Sequence, residues 1–242
     1  MTEFQKKLIS VANQNEATNN LISEDSAAVL EKLTENMLEV NKSLNLTAIK
    51  DENGVILKHL VDSSACVPYI PKGASLCDIG CGGGFPTLVI GILRRDVSVL
   101  GVDSVTKKVK YVADSASLLG LTNVSVSNAR AEEMGQKNET RESFDVVTAR
   151  AVGRLNLICE LCLPLVKVGG CFLAMKSITA REELEEAKGA IELLGGEIHE
   201  LKEYTLTNGE EAVERTIIII KKVKHTPKAY PRNNSQIAKK PL

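Results

Sequence analysis

Twelve residues, SLCDIGCGGGFP at 75–86, restrict what this chain can fold into more than any other segment. A short apolar strand over 75–80 runs into four glycines within five residues, and Pro86 then stands where a helix makes its first turn. Without Cβ atoms, such a turn can bend sharply and bring the backbone close to a ligand. Strand, glycine-rich turn and helix in succession open a doubly wound α/β sheet, in which ligands bind beyond the carboxyl ends of the strands.

The pattern downstream continues in the same way. Apolar strands are expected at 97–103, 123–129, 144–150 and 170–176, with helices over 86–94, 105–119, 154–166 and 180–194. GEIHELKEYTL (196–206), a turn at Asn208-Gly209-Glu210 and VERTIIIIKKV (213–223) read as a hairpin, and the Ile run should be buried on both faces. Upstream, Leu30, Leu33, Met37, Val40 and Leu44 recur at helical spacing behind Ser23, a candidate N-cap, so 24–44 is expected to be a helix, with a weaker one over 2–20. The expected class is α/β: a Rossmann-like, mostly parallel seven-stranded sheet ending in an antiparallel hairpin, with N-terminal helices. Residues 1–50 are expected to form a helical extension packed on a main domain of 51–242.

The ligand is constrained by two acids. Asp103 ends the second strand about twenty residues after the glycine turn, where a carboxylate suits a pair of ribose hydroxyls. A dinucleotide loop, G-x-G-x-x-G counted from Gly80, needs glycine at 85, and Phe85 stands there. Asp78 on the first strand would repel a pyrophosphate but could accept from an ammonium group. These features favour S-adenosyl-L-methionine, with Gly80 and Gly82 touching it through their backbone.

Composition removes other classes. No stretch approaches the roughly 18 apolar residues of a spanning helix and MTEFQKKLISVANQNEA lacks a secretory apolar core, so a soluble cytoplasmic protein is expected. The six cysteines sit mostly among aliphatic residues and read as reduced core thiols; Cys159 and Cys162 form a C-x-x-C with no second pair nearby, and His59, His199 and His225 are scattered, so no metal is expected. Net charge is −1, yet Lys221, Lys222, Lys224, Lys228, Arg232, Lys239 and Lys240 end the chain without an acid among them, a tail drawn to phosphates or simply solvated.

With NLTAI (45–49), HLVDSS (59–64), DIGCGGGFP (78–86), NARAEEM (128–134), TARAV (148–152), MKS (175–177) and the closing YPRNNSQIAKKPL (230–242), the chain resembles the bacterial RsmG (GidB) class I methyltransferases over nearly its whole length. That family modifies N7 of a guanine in 16S ribosomal RNA. The resemblance implies cofactor contacts at Gly80, Phe85, the Ala131-Glu132 pair near the adenine, and Arg150. The chain departs from the family habit at Cys81, where serine or threonine is usual, at Ser177, where glycine is usual, and at Arg232-Asn233-Asn234, where a basic residue and glycine are commoner.

Arg130, Arg150 and Lys176 follow or end the third, fourth and fifth strands, which places all three at the ligand-facing edge. Arg130 and Lys176, with Arg232 and Lys239 of the tail, are the expected RNA phosphate contacts. Aromatic residues are too scarce for extensive base stacking, so shape and backbone contacts should dominate. Guanine N7 carries no proton, so no catalytic base is expected. The partner expected is a structured small-subunit particle or its assembly intermediate, met by a monomer. A methyltransferase acting on a protein or small molecule, and a binding module without turnover, are the alternatives.

Overall fold

A computed structural model describes residues 1–242. The sheet comprises β1 (Ser75–Ile79), β2 (Ser98–Asp103), β3 (Val124–Asn128), β4 (Phe144–Arg150), β5 (Val166–Lys176), β6 (Gly196–Thr207) and β7 (Ala212–Lys222), in the order β3-β2-β1-β4-β5-β7-β6. Every neighbouring pair is parallel except those made by β7, which lies antiparallel between β5 and β6. This insertion explains the Ile run. Residues 216–220 are all buried because β7 has a strand on either side and covered faces above and below.

Strand alternation sorts the core. Cys77, Ile79, Val147, Ala149, Ile218 and Ile220 face one apolar cluster, and Leu76, Val99, Val146, Leu173, Ile217 and Ile219 the other. The first face is covered by α8 (Leu155–Cys162), α9 (Ala180–Leu193) and the tail helix α10 (Asn234–Lys239), whose Ile237 is buried. At the β1–β3 end, α5 (Thr87–Leu93) and α6 (Thr106–Leu118) share a cluster with the N-terminal helices α1 (Glu3–Asn13) and α2 (Glu24–Leu44). Ser23 caps α2 by accepting from Ser26 N, as expected. No helix is long and apolar enough to cross a membrane.

Three boundaries differ from the expected ones. The first helix stops at Asn13 rather than reaching residue 20, because Asn15 turns its amide to Val11 O and exchanges hydrogen bonds with the Thr207 backbone at the end of β6. The helix expected over 154–166 ends at Cys162, since Pro164 has no N–H to continue it. Residues 163–165 form one 3-10 turn, and β5 begins at Val166 instead of Gly170. Exposed Gly169 and part-buried Gly170 interrupt the apolar signal there, where the register against β4 also shifts.

The tail is ordered rather than a free basic arm. Arg141 donates to the carbonyls of Thr226 and Tyr230 at 2.7 Å each, and Lys222, fully buried, donates to Leu163 O and pairs with Glu142 at 3.1 Å. Cys66, Cys77, Cys81, Cys159 and Cys162 are buried free thiols, and Cys171 is partly buried.

Candidate active site

The carboxyl ends of β1, β2 and β4 converge on the glycine turn. Gly80, Gly82 and Gly84 hold φ of +73°, +52° and +88°, which side chains other than glycine rarely accept. At Gly80 a Cβ would also fall 2.6 Å from Val152 Cγ2. The turn is spliced to its neighbour strand, since Gly80 N and Cys81 N both donate to Val102 O. Asp103 then fixes its tip: Oδ2 accepts from Gly82 N at 3.0 Å and Oδ1 from Val105 N at 2.8 Å. Gly80, Gly82, Phe85, Asp103 and Arg150 all line one cavity of about 310 Å³, to which Leu46, Thr47, His59 and Lys108 add further walls.

Asp78 does not join them. Alternation along β1 sends its side chain to the face opposite Cys77 and Ile79, beneath α5, where it is completely buried. Its oxygens accept from the hydroxyls of Thr87 at 2.5 Å and of Thr148, its partner across the β1–β4 ladder, at 2.8 Å. Burial pushes this carboxyl up to about 6. The direct ammonium contact expected of it is therefore corrected to a role in holding the loop from below. Ala131 and Glu132 are buried at the start of α7 (Ala131–Met134) and do not line the cavity.

A polar wall stands beside the loop that carried no assigned role in the sequence. Residues 56–61 form a π-helical stretch continuing α3 (Glu52–Val55) into α4 (Asp62–Ser64), and such widened turns are frequent at functional sites. From it His59 stacks on Phe85, centroids 4.6 Å apart and planes within 10°. Thr47 Oγ1 lies 2.8 Å from His59 Nε2, and Arg150 Nη2 lies 3.4 Å from Nδ1. Arg150 Nη1 donates to Lys58 O and Asp62 Oδ2, both at 2.9 Å, while Arg215 Nε on β7 donates to Asp62 Oδ1 at 3.0 Å. Beyond this wall, at the ends of β4 and β5, lies a second cavity of about 340 Å³.

The four expected phosphate contacts divide evenly. Lys176 pairs with Glu183 at 2.5 Å and donates to Gly153 O, and Arg232 forks onto buried Glu160. Both charges are thus spent inside the protein, contrary to expectation. Arg130 is half exposed, 3.7 Å from Glu132, and Lys239 is exposed on α10.

The model of the family described as rRNA small subunit methyltransferase G matches residues 26–213. The chain belongs to that family. Relatives called ribosomal RNA small subunit methyltransferase G include one from Geobacillus sp. (strain WCH70), 45% identical over 91% of this chain and 93% of its own. Another, from Geobacillus kaustophilus, is 42% identical over 100% of this chain and 98% of its own. Among solved structures, an S-adenosylmethionine-dependent O-methyltransferase from Thermotoga maritima aligns with TM-score 0.52 at 15% identity, over 79% of this chain and 73% of its own. A precorrin-6y C5,15-methyltransferase from Geobacter metallireducens gives 0.51 at 17% identity, over 74% and 91%. At such identities these two share the fold alone.

In this methyltransferase G family member, Lys58, His59 and Asp62 break into the apolar residues of VILKHLVDSS. Charged and polar groups set into an apolar helical run were the available signal. Burial pushes His59 down to about 4, and the Arg150 charge adds to the effect. Between pH 6.5 and that value the unfolded chain binds a proton there that the folded chain does not, so stability falls as pH drops through this window and is level above it. Lowering the pH from 7 to 5 should take about 2 kcal/mol more from the urea unfolding free energy of the wild-type chain than from that of His59→Gln. Equal losses would remove this account of the wall.

Proposed function

We propose that the chain transfers a methyl group from S-adenosyl-L-methionine to N7 of a guanine in 16S ribosomal RNA, within the small subunit or its assembly intermediate. The observation that carries the reading is the glycine-loop cavity with Asp103 on one side and Arg150 on the other, in a chain of this family. The residues present suit the cofactor. Asp103, oriented by two backbone N–H groups, keeps lone pairs for a ribose diol. Lys108 and Arg150 offer cations for the methionine carboxylate. At Gly82 a Cβ would meet only Gly80 O, at 3.7 Å, so the missing side chain leaves open space beside the turn.

Bound there, S-adenosylmethionine supplies a methyl group on a positively charged sulfur. Guanine N7 has an in-plane lone pair and no proton, so the chain has no proton to move. Its residues act by alignment and by excluding water. The stacked His59–Phe85 pair gives the cavity a rigid, largely buried wall, and Arg150 anchors it from the end of β4. With net charge −1 and two of the four expected phosphate contacts paired internally, recognition rests on the shape of a folded ribonucleoprotein more than on charge.

Labelled methyl from S-adenosylmethionine should enter 16S RNA of small-subunit particles taken from cells lacking this protein, mapped to N7 of one guanine. Label found only in protein, or in no ribosomal component, would overturn the proposal. Asp103→Asn keeps the side-chain shape while removing the charge, and should weaken S-adenosylmethionine binding about 10-fold by calorimetry. Unchanged affinity would take Asp103 out of the site.

A further inference from the structure

The second cavity shares His59, Arg150 and Ala151 with the glycine-loop cavity, so a group held in one lies next to a group held in the other. Its volume of about 340 Å³ falls within the range of small-ligand pockets, about 300–1,000 Å³. Ile49, Ala151 and Met175 give it apolar surface for the faces of a planar ring. The cations around it differ in what they have left to donate. Lys58 is paired with Glu211 and Lys176 with Glu183, and Arg150 spends N–H groups on Lys58 O, Asp62 and His59. Arg215 donates Nε to Asp62 and Nη1 to Glu214 O, and its Nη2 makes no hydrogen bond within the chain.

We infer that this cavity receives the target base and that Arg215 is its specificity-determining residue, with Nη2 donating to guanine O6. The inference rests on the guanine-N7 reading above and names the acceptor side of that site. O6 and N7 lie side by side on one edge of guanine, so a donor on O6 leaves N7 free beside it. Adenine carries an amino donor in place of O6, and donor would meet donor. Asp62 is the positioning residue. Only 5% exposed, it holds Arg215 through one oxygen and Arg150 through the other, fixing the fork and cancelling one positive charge where the methylated purine becomes cationic. A base that enters this cavity must leave its stack, as bases do when enzymes perform chemistry on them.

The test uses small-subunit particles reconstituted with guanine or 2-aminopurine at the methylated position; 2-aminopurine keeps N7 and lacks O6. Single-turnover rates are compared for the wild-type chain, Arg215→Met and Arg215→Lys at saturating S-adenosylmethionine. Arg215→Met should lose about 10- to 100-fold on guanine. It should lose little further on 2-aminopurine, so the ratio between the two bases collapses, which cancels their intrinsic difference in reactivity. Arg215→Lys, retaining charge and donors, should recover part of both rate and ratio, and cofactor affinity should stay within about 2-fold throughout. A wild-type rate on guanine in Arg215→Met, or a slower rate with the base ratio intact, would overturn the assignment of Arg215. If the wild-type chain methylates no guanine-bearing particle, the guanine reading fails, and this inference with it.

Discussion

Replacing Arg232 with alanine is expected to lower the thermal unfolding midpoint by about 6–20 °C, following a loss of about 3–5 kcal/mol. The carboxylate of Glu160 lies on α8 with no exposed surface. Its Oε1 accepts from Arg232 N and Nε, both at 2.8 Å, and its Oε2 from Arg232 Nη2 at 2.5 Å. Alanine keeps the backbone donor but strands a buried negative charge, which is the costly half of a broken ion pair. The double change Arg232→Met with Glu160→Gln should recover most of the loss, because no charge is left unpaired. A pure RNA-contact role predicts a different signature: an unchanged midpoint, and a salt dependence of RNA binding shallower by about one phosphate contact. Scanning calorimetry on the single and double variants separates the two, and an unchanged midpoint in Arg232→Ala would sink the structural role.

Arg232 also marks where sequence stops being legible. Its charge is plain, but its partner lies seventy-two residues earlier, and tertiary pairing over that distance leaves no local pattern. Glu160 itself held the hint: a single acid within LNLICELCLPLV needs a cation if that helix is buried on all sides. Asp78 is a similar case. Once 75–80 is read as a strand, its alternation sends residue 78 away from 77 and 79, so its seat beneath α5 follows from the strand rule. The strands, the hairpin and α2 were readable because apolar residues recur at strand or helix spacing, with Gly80 after β1, Gly209 in the hairpin turn and the capping Ser23 before α2 as punctuation. The π-helical stretch at 56–61 was not, since a one-residue widening alters backbone hydrogen bonding without changing which residues are apolar. With it went the His59–Asp62 wall, half of the candidate site.

That wall makes Arg150 the residue whose loss should cost the most activity. Arg150→Met is expected to slow methyl transfer about 100-fold or more, because misplacement of about 1 Å at a reacting centre costs that much. The guanidinium lies 5.9 Å from the centre of the Phe85 ring, lines both cavities, and ties Lys58 O, His59 and Asp62 to the end of β4. Methionine fills much of the space over Phe85 but makes none of these hydrogen bonds, so the chain should stay folded while His59 and the Lys58 carbonyl lose their tie to β4. Two readouts separate this from a simple cofactor contact. If Arg150 only bound the methionine carboxylate, the variant would lose S-adenosylmethionine affinity, and saturating cofactor would restore the rate. If it organises the wall, the slow rate should persist at saturation. His59→Gln in the Arg150→Met background should then add little, because residues acting as one unit are not additive. The pH profile gives the sign. Arg150's charge helps hold His59 low, so without it the imidazole should protonate at higher pH than in the wild-type chain, and the acid limb of the rate profile should move up with it. An acid limb left in place, with full rate recovered by added cofactor, would reduce Arg150 to a ligand contact and leave the wall without a part in positioning the reactants.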